Sequence, residues 1–530
     1  MCVDHPPFGG AALAEALAEL YALGQTDYSF EPVILADALD RPLGRIQDGD
    51  AVIFCLRRGE REIQLTEAFV EPETGGFPRC KFENQPFVIL TLYHEKFKDL
   101  PVAFAPTQIK HTLAETISRA GLRQLHISES EKFAHVTFFF NGGTNQPFAG
   151  ETDVHVPSLR DSPLEQNPEL RLAEISRQVV EGINKGYNLI VVNFANGDVI
   201  GHTQSSAAKI LCAEAIDHYL QQVVQASLPA EYAVLITADH GNLEELFTTD
   251  GSPHVSHTTN PVPFILATPS DLNPIELMEG KLADVAPTIL SIQGIDTPAE
   301  MSGRCLITQA GMPIAMKVLL VILDGWGIGQ PDETNPIHQA RTPYWDSLLT
   351  SYPHTQLEAA GEAVGLQAGK NGNSEAGHIN LGAGRVIEQD DVRLDAAMQD
   401  GSFYTNPIFL KTISGVKDRH TCLHLICLLS EKSSHGTIDY PLALLRMAKK
   451  QELNDVYIHV IFDGRSTEPG SAPELLRLFE SKVREIGIGR IVTGVGRGIA
   501  LDRDGNYQKT RRVYEALVYG TGRHHSIEKG

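Results

Sequence analysis

Short, nearly uninterrupted apolar runs alternate along the chain with longer amphipathic stretches. The runs occupy residues 87–92, 188–194, 233–237, 318–323, 456–462 and 490–493. Runs of this length without polar alternation predict strands buried on both faces, as in a parallel sheet. Between them, apolar residues recur at helical spacing over residues 170–185, 207–226, 441–450 and 472–486. Strand and helix in alternation predict βα units, hence an α/β fold with a largely parallel sheet. The periodicity lapses from Gly303 to Ala315, and a strong strand pattern then begins at Met316 and Lys317 as if a new protein started there.

The chain has 530 residues, 42% apolar and 21% charged, the balance of a folded protein with more than one core; two domains are the working count. No apolar run reaches the roughly 18 residues of a membrane span, and the first ten residues lack the basic stretch and apolar core of a signal peptide. A cytoplasmic protein is expected. With 67 acidic against 44 basic residues the net charge is -23, which repels nucleic acid and acidic membranes and excludes both as partners. An anionic small-molecule substrate would need a local cationic pocket. Seven scattered cysteines (Cys2, Cys55, Cys80, Cys212, Cys305, Cys422, Cys427) without a CxxC pair suit buried thiols in a reducing compartment, not metal ligands.

Three predicted strands lead to an aspartate: VLLVILD to Asp324, AVLITAD to Asp239, and LIVVNFANGD to Asp198 after a short turn. Parallel strands align their carboxyl ends along one edge of the sheet, so these carboxylates can converge from distant stretches of chain. His202 follows Asp198 by four residues, His240 adjoins Asp239 in TADHGN, and His257 stands in SHTTNPVP before another apolar run. Taken singly, such an aspartate suits a loop or helix cap, and such a histidine an ordinary core or surface position. Together, carboxylates and imidazoles without cysteine point to a borderline divalent cation such as manganese or zinc. The stretch GKNGNSEAGHINLGAGR turns sharply at its glycines and exposes Ser374, which has no nucleophile elbow or triad around it. Metal coordination can activate such a hydroxyl. A plain Gly/Ser/Asn loop has the same composition, and the stretch alone decides nothing.

These segments resemble the alkaline phosphatase superfamily, and within it the cofactor-independent phosphoglycerate mutases. LDGWGIG, GNSEAGH, SEKFAHVTFFFNGG, NGDVIGH, TADHGN and SHTTNPVP carry the resemblance, which extends over nearly the whole chain. It implies an alkaline-phosphatase-like, mostly parallel sheet flanked by helices over residues 106–388, and a smaller α/β phosphotransferase domain over 1–105 and 389–530. It also implies two divalent metal ions, expected to be manganese, with Asp198, His202 and His257 holding one and Asp324, Ser374, Asp239 and His240 the other. A pair of cations roughly 4 Å apart can ionise a serine and clamp phosphoryl oxygens. By the same resemblance Ser374 takes the phosphoryl group and Lys132 faces its oxygens. Arg58, Arg61, Asp463, Arg465, Arg497 and Arg503 would hold the substrate together with His435, the expected general base. Arginine forks suit phosphate and carboxylate, so such a cluster can hold an anion despite the overall charge. The implied activity is the glycolytic interconversion of 3-phosphoglycerate and 2-phosphoglycerate by a monomer, through a phosphoserine and without 2,3-bisphosphoglycerate.

Two departures from the family pattern stand out. Where the family reads DGRD, this chain has Asp463, Gly464, Arg465 and Ser466; where it reads SDGGVHSH, this chain has SEKSSHGT and keeps His435. Loss of a substrate-facing carboxylate favours release before retransfer, so a metal-dependent phosphomonoesterase is one alternative and a non-catalytic phosphometabolite-binding protein another. The segments also run in an unusual order. LDGWGIG, normally near the amino terminus, here follows the segments normally found at the carboxyl end. A circular permutation is expected, with the old termini fused near residues 307–316.

Overall fold

The computed structural model describes residues 8–57, 59–71, 76–106, 109–159, 163–269, 275–308, 315–433 and 435–527. The chain divides into two compact units, a central one of Gln108–Val392 and a split one of Met1–Thr107 with Arg393–Gly530. Each carries an eight-stranded sheet.

In the central unit the strands lie in the order Gly280–Lys281, His354–Glu358, Val262–Ala267, Tyr232–Thr237, Lys317–Leu323, Leu189–Phe194, Gln124–Glu129, Glu151–Val156. All neighbours pair in parallel except at Val262–Ala267, which runs against both its partners. Lys317–Leu323 is in register with a parallel strand on either side, and Val318 to Leu323 are fully buried, which is why the run is apolar without alternation. The helix Leu172–Asn184 covers the sheet with Leu172, Ile175, Val179 and Ile183, three or four residues apart. On both sides of residues 309–314, which lie outside the described residues, the chain is tied to the helix Val285–Ile292. Leu306 N donates to Thr288 Oγ1 at 3.0 Å, and Met316 N to Ile292 O at 3.3 Å.

The split unit orders its strands Arg523–Ser526, Val33–Ala36, Arg490–Gly496, Val456–Phe462, Leu423–Leu429, Ala51–Cys55, Phe87–Thr91, Val102–Phe104. The pairing is parallel throughout except between Val33–Ala36 and Arg490–Gly496. The helix Gly10–Ala22 packs beside the last strand, where Arg523 pairs with Glu19.

Expectation and structure differ at the cysteines. Cys55, Cys212 and Cys427 are buried, but Cys305 and Cys422 are partly exposed and Cys80 is exposed near Tyr519; Cys2 lies outside the described residues. Among the described residues, no helix is long and apolar enough to cross a membrane.

Candidate metal centre and substrate pocket

Four adjacent parallel strands of the central unit deliver charged side chains to one edge. Asp239 follows Tyr232–Thr237, Asp324 follows Lys317–Leu323, Asp198 follows Leu189–Phe194, and Lys132 follows Gln124–Glu129. Asp198 sits in the short helix Asn196–Gly201, which brings it back over the sheet edge. Ser374 is not on the apex of a glycine loop as its composition suggested. It is the first residue of the helix Ser374–Ala383, capped by Asn373 Oδ1, which accepts from Ala376 N at 2.9 Å. This end of the helix favours negative charge on the hydroxyl or on a group bound there. Gly377 lets the helix reach the strand end, since a Cβ there would lie 2.5 Å from Asp239 O.

Lys132 Nζ donates to Asp198 Oδ2 and Asp324 Oδ1 at 2.7 Å and to Ser374 Oγ at 2.6 Å. His240 Nε2 lies 2.9 Å from Ser374 Oγ. Around Asp198 Oδ1 stand His257 Nε2 at 3.0 Å and His202 Nε2 at 3.2 Å. Asp324 Oδ2 accepts from Asn193 Nδ2 at 2.7 Å, and the same amide meets His378 Nε2 at 2.9 Å. Asp239, His240 and Asp324 are fully buried, whereas the His202 side chain is 46% exposed and marks the solvent side.

The electrostatics follow from this crowding. Burial alone would lower the Lys132 ammonium, but Asp324, Asp198 and Asp239 outweigh it and raise it. Burial would raise the Asp198 carboxyl; Lys132 and the two histidines hold it well below its ordinary value. Asp324, buried beside two other carboxylates, is raised.

The donor set fits divalent cations. His202, His257 and His240 each place Nδ1 on a backbone carbonyl, of Val255, Gly372 and Gly241 respectively, which turns Nε2 inward. The Nε2 atoms of His202 and His257 face each other at 3.1 Å, so they cannot both carry protons. Asp239 Oδ2 is buried and makes no well-aligned hydrogen bond among the described residues, with His378 Nδ1 at 3.2 Å and His240 Nε2 at 3.4 Å. Ligand atoms of Asp198, His240 and His257 lie within 4.8 Å of one another, as do those of Asp239, His240 and Asp324. Asn193 and His378, which steady this set, escaped the sequence reading although both lie inside quoted motifs, because neither stands at a strand-end position. A third cluster, His126, Glu151 and Asp153, differs: both ring nitrogens of His126 already meet oxygens, Val136 O at 2.7 Å and Gln124 Oε1 at 3.3 Å.

The split unit uses its own strand ends. Arg57, His435, Asp463 and Arg497 follow Ala51–Cys55, Leu423–Leu429, Val456–Phe462 and Arg490–Gly496, four neighbours in the sheet. Asp463 and Arg497 are buried and form an ion pair. Arg61 is buried and donates to Leu501 O at 3.0 Å, while Arg465 and Arg503 are exposed. Arg58 lies outside the described residues. Arg57, not singled out in the sequence, donates to Ser433 O at 2.9 Å.

Residues 32–297, half of the chain, match the family described as the metalloenzyme superfamily. The chain belongs to that superfamily. Residues 394–529 of this metalloenzyme match the family described as the BPG-independent PGAM N-terminus. Among curated proteins, the 2,3-bisphosphoglycerate-independent phosphoglycerate mutase of Syntrophotalea carbinolica is 43% identical over 297 residues, 56% of this chain and 57% of the relative. The enzyme of the same description from Moorella thermoacetica is 43% identical over 298 residues, with the same coverage. The chain thus spans a little over half the length of these relatives. A solved structure of Leishmania mexicana phosphoglycerate mutase at low cobalt concentration covers 52% of this chain and 53% of its own at 28% identity, with a TM-score of 0.42.

Proposed function

We propose that this metalloenzyme interconverts 3-phosphoglycerate and 2-phosphoglycerate through a phosphoserine at Ser374, with two manganese ions and without 2,3-bisphosphoglycerate. One observation carries the reading: Ser374 Oγ lies at the start of a buried helix within 2.9 Å of both Lys132 Nζ and His240 Nε2, among three carboxylates. Asp198, His202 and His257 would hold one ion, and Asp239, His240, Asp324 and Ser374 the other. When bound, the ions would favour the ionised serine and neutralise phosphoryl oxygens. Lys132 adds a fixed positive charge toward those oxygens. In the transfer, Ser374 Oγ forms the bond to phosphorus as the ester bond to the glycerate oxygen breaks. The glycerate oxygen that leaves gains a proton, the one that attacks the phosphoserine loses one, and His435 is the group assigned to that exchange. The buried Asp463–Arg497 pair and its neighbouring arginines would hold the glycerate anion. A manganese-titrated isomerisation assay of the wild type beside Ser374→Ala tests the reading. The variant should stay folded and lose turnover; full activity in it excludes the phosphoserine route.

The phosphomonoesterase alternative is favoured by the exposed Ser466 hydroxyl, 3.5 Å from Ser433 Oγ, where the resembled family carries a carboxylate. Release of free phosphate faster than isomer formation would decide for it.

We also propose that the segments are circularly permuted. The match described as an N-terminus follows the metalloenzyme match instead of preceding it. Segments near both ends, Gly10–Ala22 and Arg523–Ser526, pack together in one unit. A variant with the order reset, opened between Thr308 and Ala315 and joined from Ile527 to Phe8, should fold and keep turnover; failure to fold would count against it.

A further inference from the structure

Glu62 lies in the helix Gly59–Val70, whose charged composition reads as a solvated face. The structure instead buries it completely. Its Oε1 lies 2.8 Å from His435 Nδ1, and its Oε2 has no hydrogen-bond partner among the described residues. Burial raises the Glu62 carboxyl, against the opposing pull of His435 and Arg497. A buried carboxylate with an unsatisfied oxygen is destabilising, and a purely structural position would be better filled by an amide or an apolar side chain. Four further buried polar atoms of the same unit lack partners among the described residues, Gln85 Nε2, Ser430 Oγ, Asp463 Oδ2 and Arg497 Nε, and two of them belong to the Asp463–Arg497 pair.

The backbone carrying His435 is already fixed. Arg57 N donates to His435 O at 3.0 Å, and the Arg57 guanidinium holds Ser433 O. What remains free is the rotation of the ring and the choice of which nitrogen bears the proton. An ionised carboxylate oxygen only accepts, so with Glu62 charged, as His435 and Arg497 favour, the 2.8 Å contact places the proton on Nδ1.

We propose that Glu62 is the positioning residue of His435: it locks the ring with Nδ1 protonated, presents the Nε2 lone pair to the substrate hydroxyl, and balances the imidazolium formed when Nε2 takes that proton. The step moves one proton from the substrate O–H to Nε2 and returns it to the glycerate oxygen released from phosphorus. This inference rests on the reading of His435 as the group that exchanges the substrate proton.

Two measurements test it. In two-bond proton–nitrogen spectra of histidine-labelled protein, with the signal assigned by its loss in His435→Asn, the neutral His435 ring should show a protonated Nδ1 and a bare Nε2. A protonated Nε2 overturns the proposal, and this readout needs neither a folded Glu62 variant nor any activity. In the isomerisation assay, Glu62→Gln should lower kcat at least about 100-fold with KM within about 2-fold, because the amide can donate to Nδ1 and so allow the wrong tautomer. Glu62→Asp should recover part of the loss. Unchanged kcat in folded Glu62→Gln overturns the inference, whereas absence of isomerisation in the wild type removes the mutase reading and leaves the tautomer to be judged by the spectra.

Discussion

Lys132 Nζ stands 2.6 Å from Ser374 Oγ while donating to both Asp198 and Asp324. One ammonium thus links the Ser374 hydroxyl to the carboxylates of two neighbouring strands, and those carboxylates keep it charged. Replacing it as Lys132→Met should leave the fold intact but lower kcat about 100- to 1,000-fold, the usual cost of removing one group that stabilises transition-state charge. Steady-state kinetics with circular dichroism as the folding control checks this; a loss confined to KM would show that Lys132 only binds.

The centre packs Asp198, Asp239 and Asp324 together, and cations bound to the folded state alone should stabilise it. Chelator treatment should therefore lower Tm, and manganese should restore it in proportion to its concentration. His257→Ala removes an inward Nε2 and should weaken manganese binding by at least about 10-fold in titration calorimetry. Equal binding by the variant would exclude His257 as a ligand.

Asp153 faces His126 across the register of Glu151–Val156 with Gln124–Glu129, next to Glu151. Burial pushes it up to about 6 from 3.8, with Glu151 adding to the rise and His126 opposing it. Between these values the folded chain holds a proton that the unfolded chain has released, so stability falls as pH rises through the window, and above it the charged carboxylate is a cost. Asp153→Asn should raise Tm at about pH 7.5 and have little effect near pH 4. A variant less stable at the higher pH would contradict the sign.

Leu320 is fully buried at the middle of Lys317–Leu323, paired on both sides. Leu320→Ala should cost about 2–5 kcal/mol, read as a lower urea midpoint for the central unit. An effect under about 1 kcal/mol would mean that the sheet tolerates a hole at its centre.

The strands 456–462 and 490–493 and the helix 472–486 were legible because unbroken apolar runs and 3.6-residue spacing are local signals. The strand-end rule likewise led to Asp198, Asp239 and Asp324, since it depends only on where a run stops. Lys132 carried no such signal: it lies three residues beyond its strand in a charged stretch, and motif likeness alone marked it. Glu62 and Arg57 were missed because their meaning comes from burial. Glu62 contacts a residue 373 positions away, and nothing in EREIQ announces that its helix turns a charge inward. The helix start at Ser374 was hidden for a different reason: an asparagine cap followed by serine has the same letters as a loop.

The position of Lys317–Leu323 between two earlier strands also bears on how the protein is made. Tyr232–Thr237 and Leu189–Phe194 leave the ribosome with unpaired inner edges, and the roughly 80 residues that follow Thr237 take on the order of 4–16 s to synthesise before the missing strand arrives. During that interval the nascent chain exposes two sticky apolar edges. Its yield in a cell should therefore depend on chaperone supply and translation speed across this stretch.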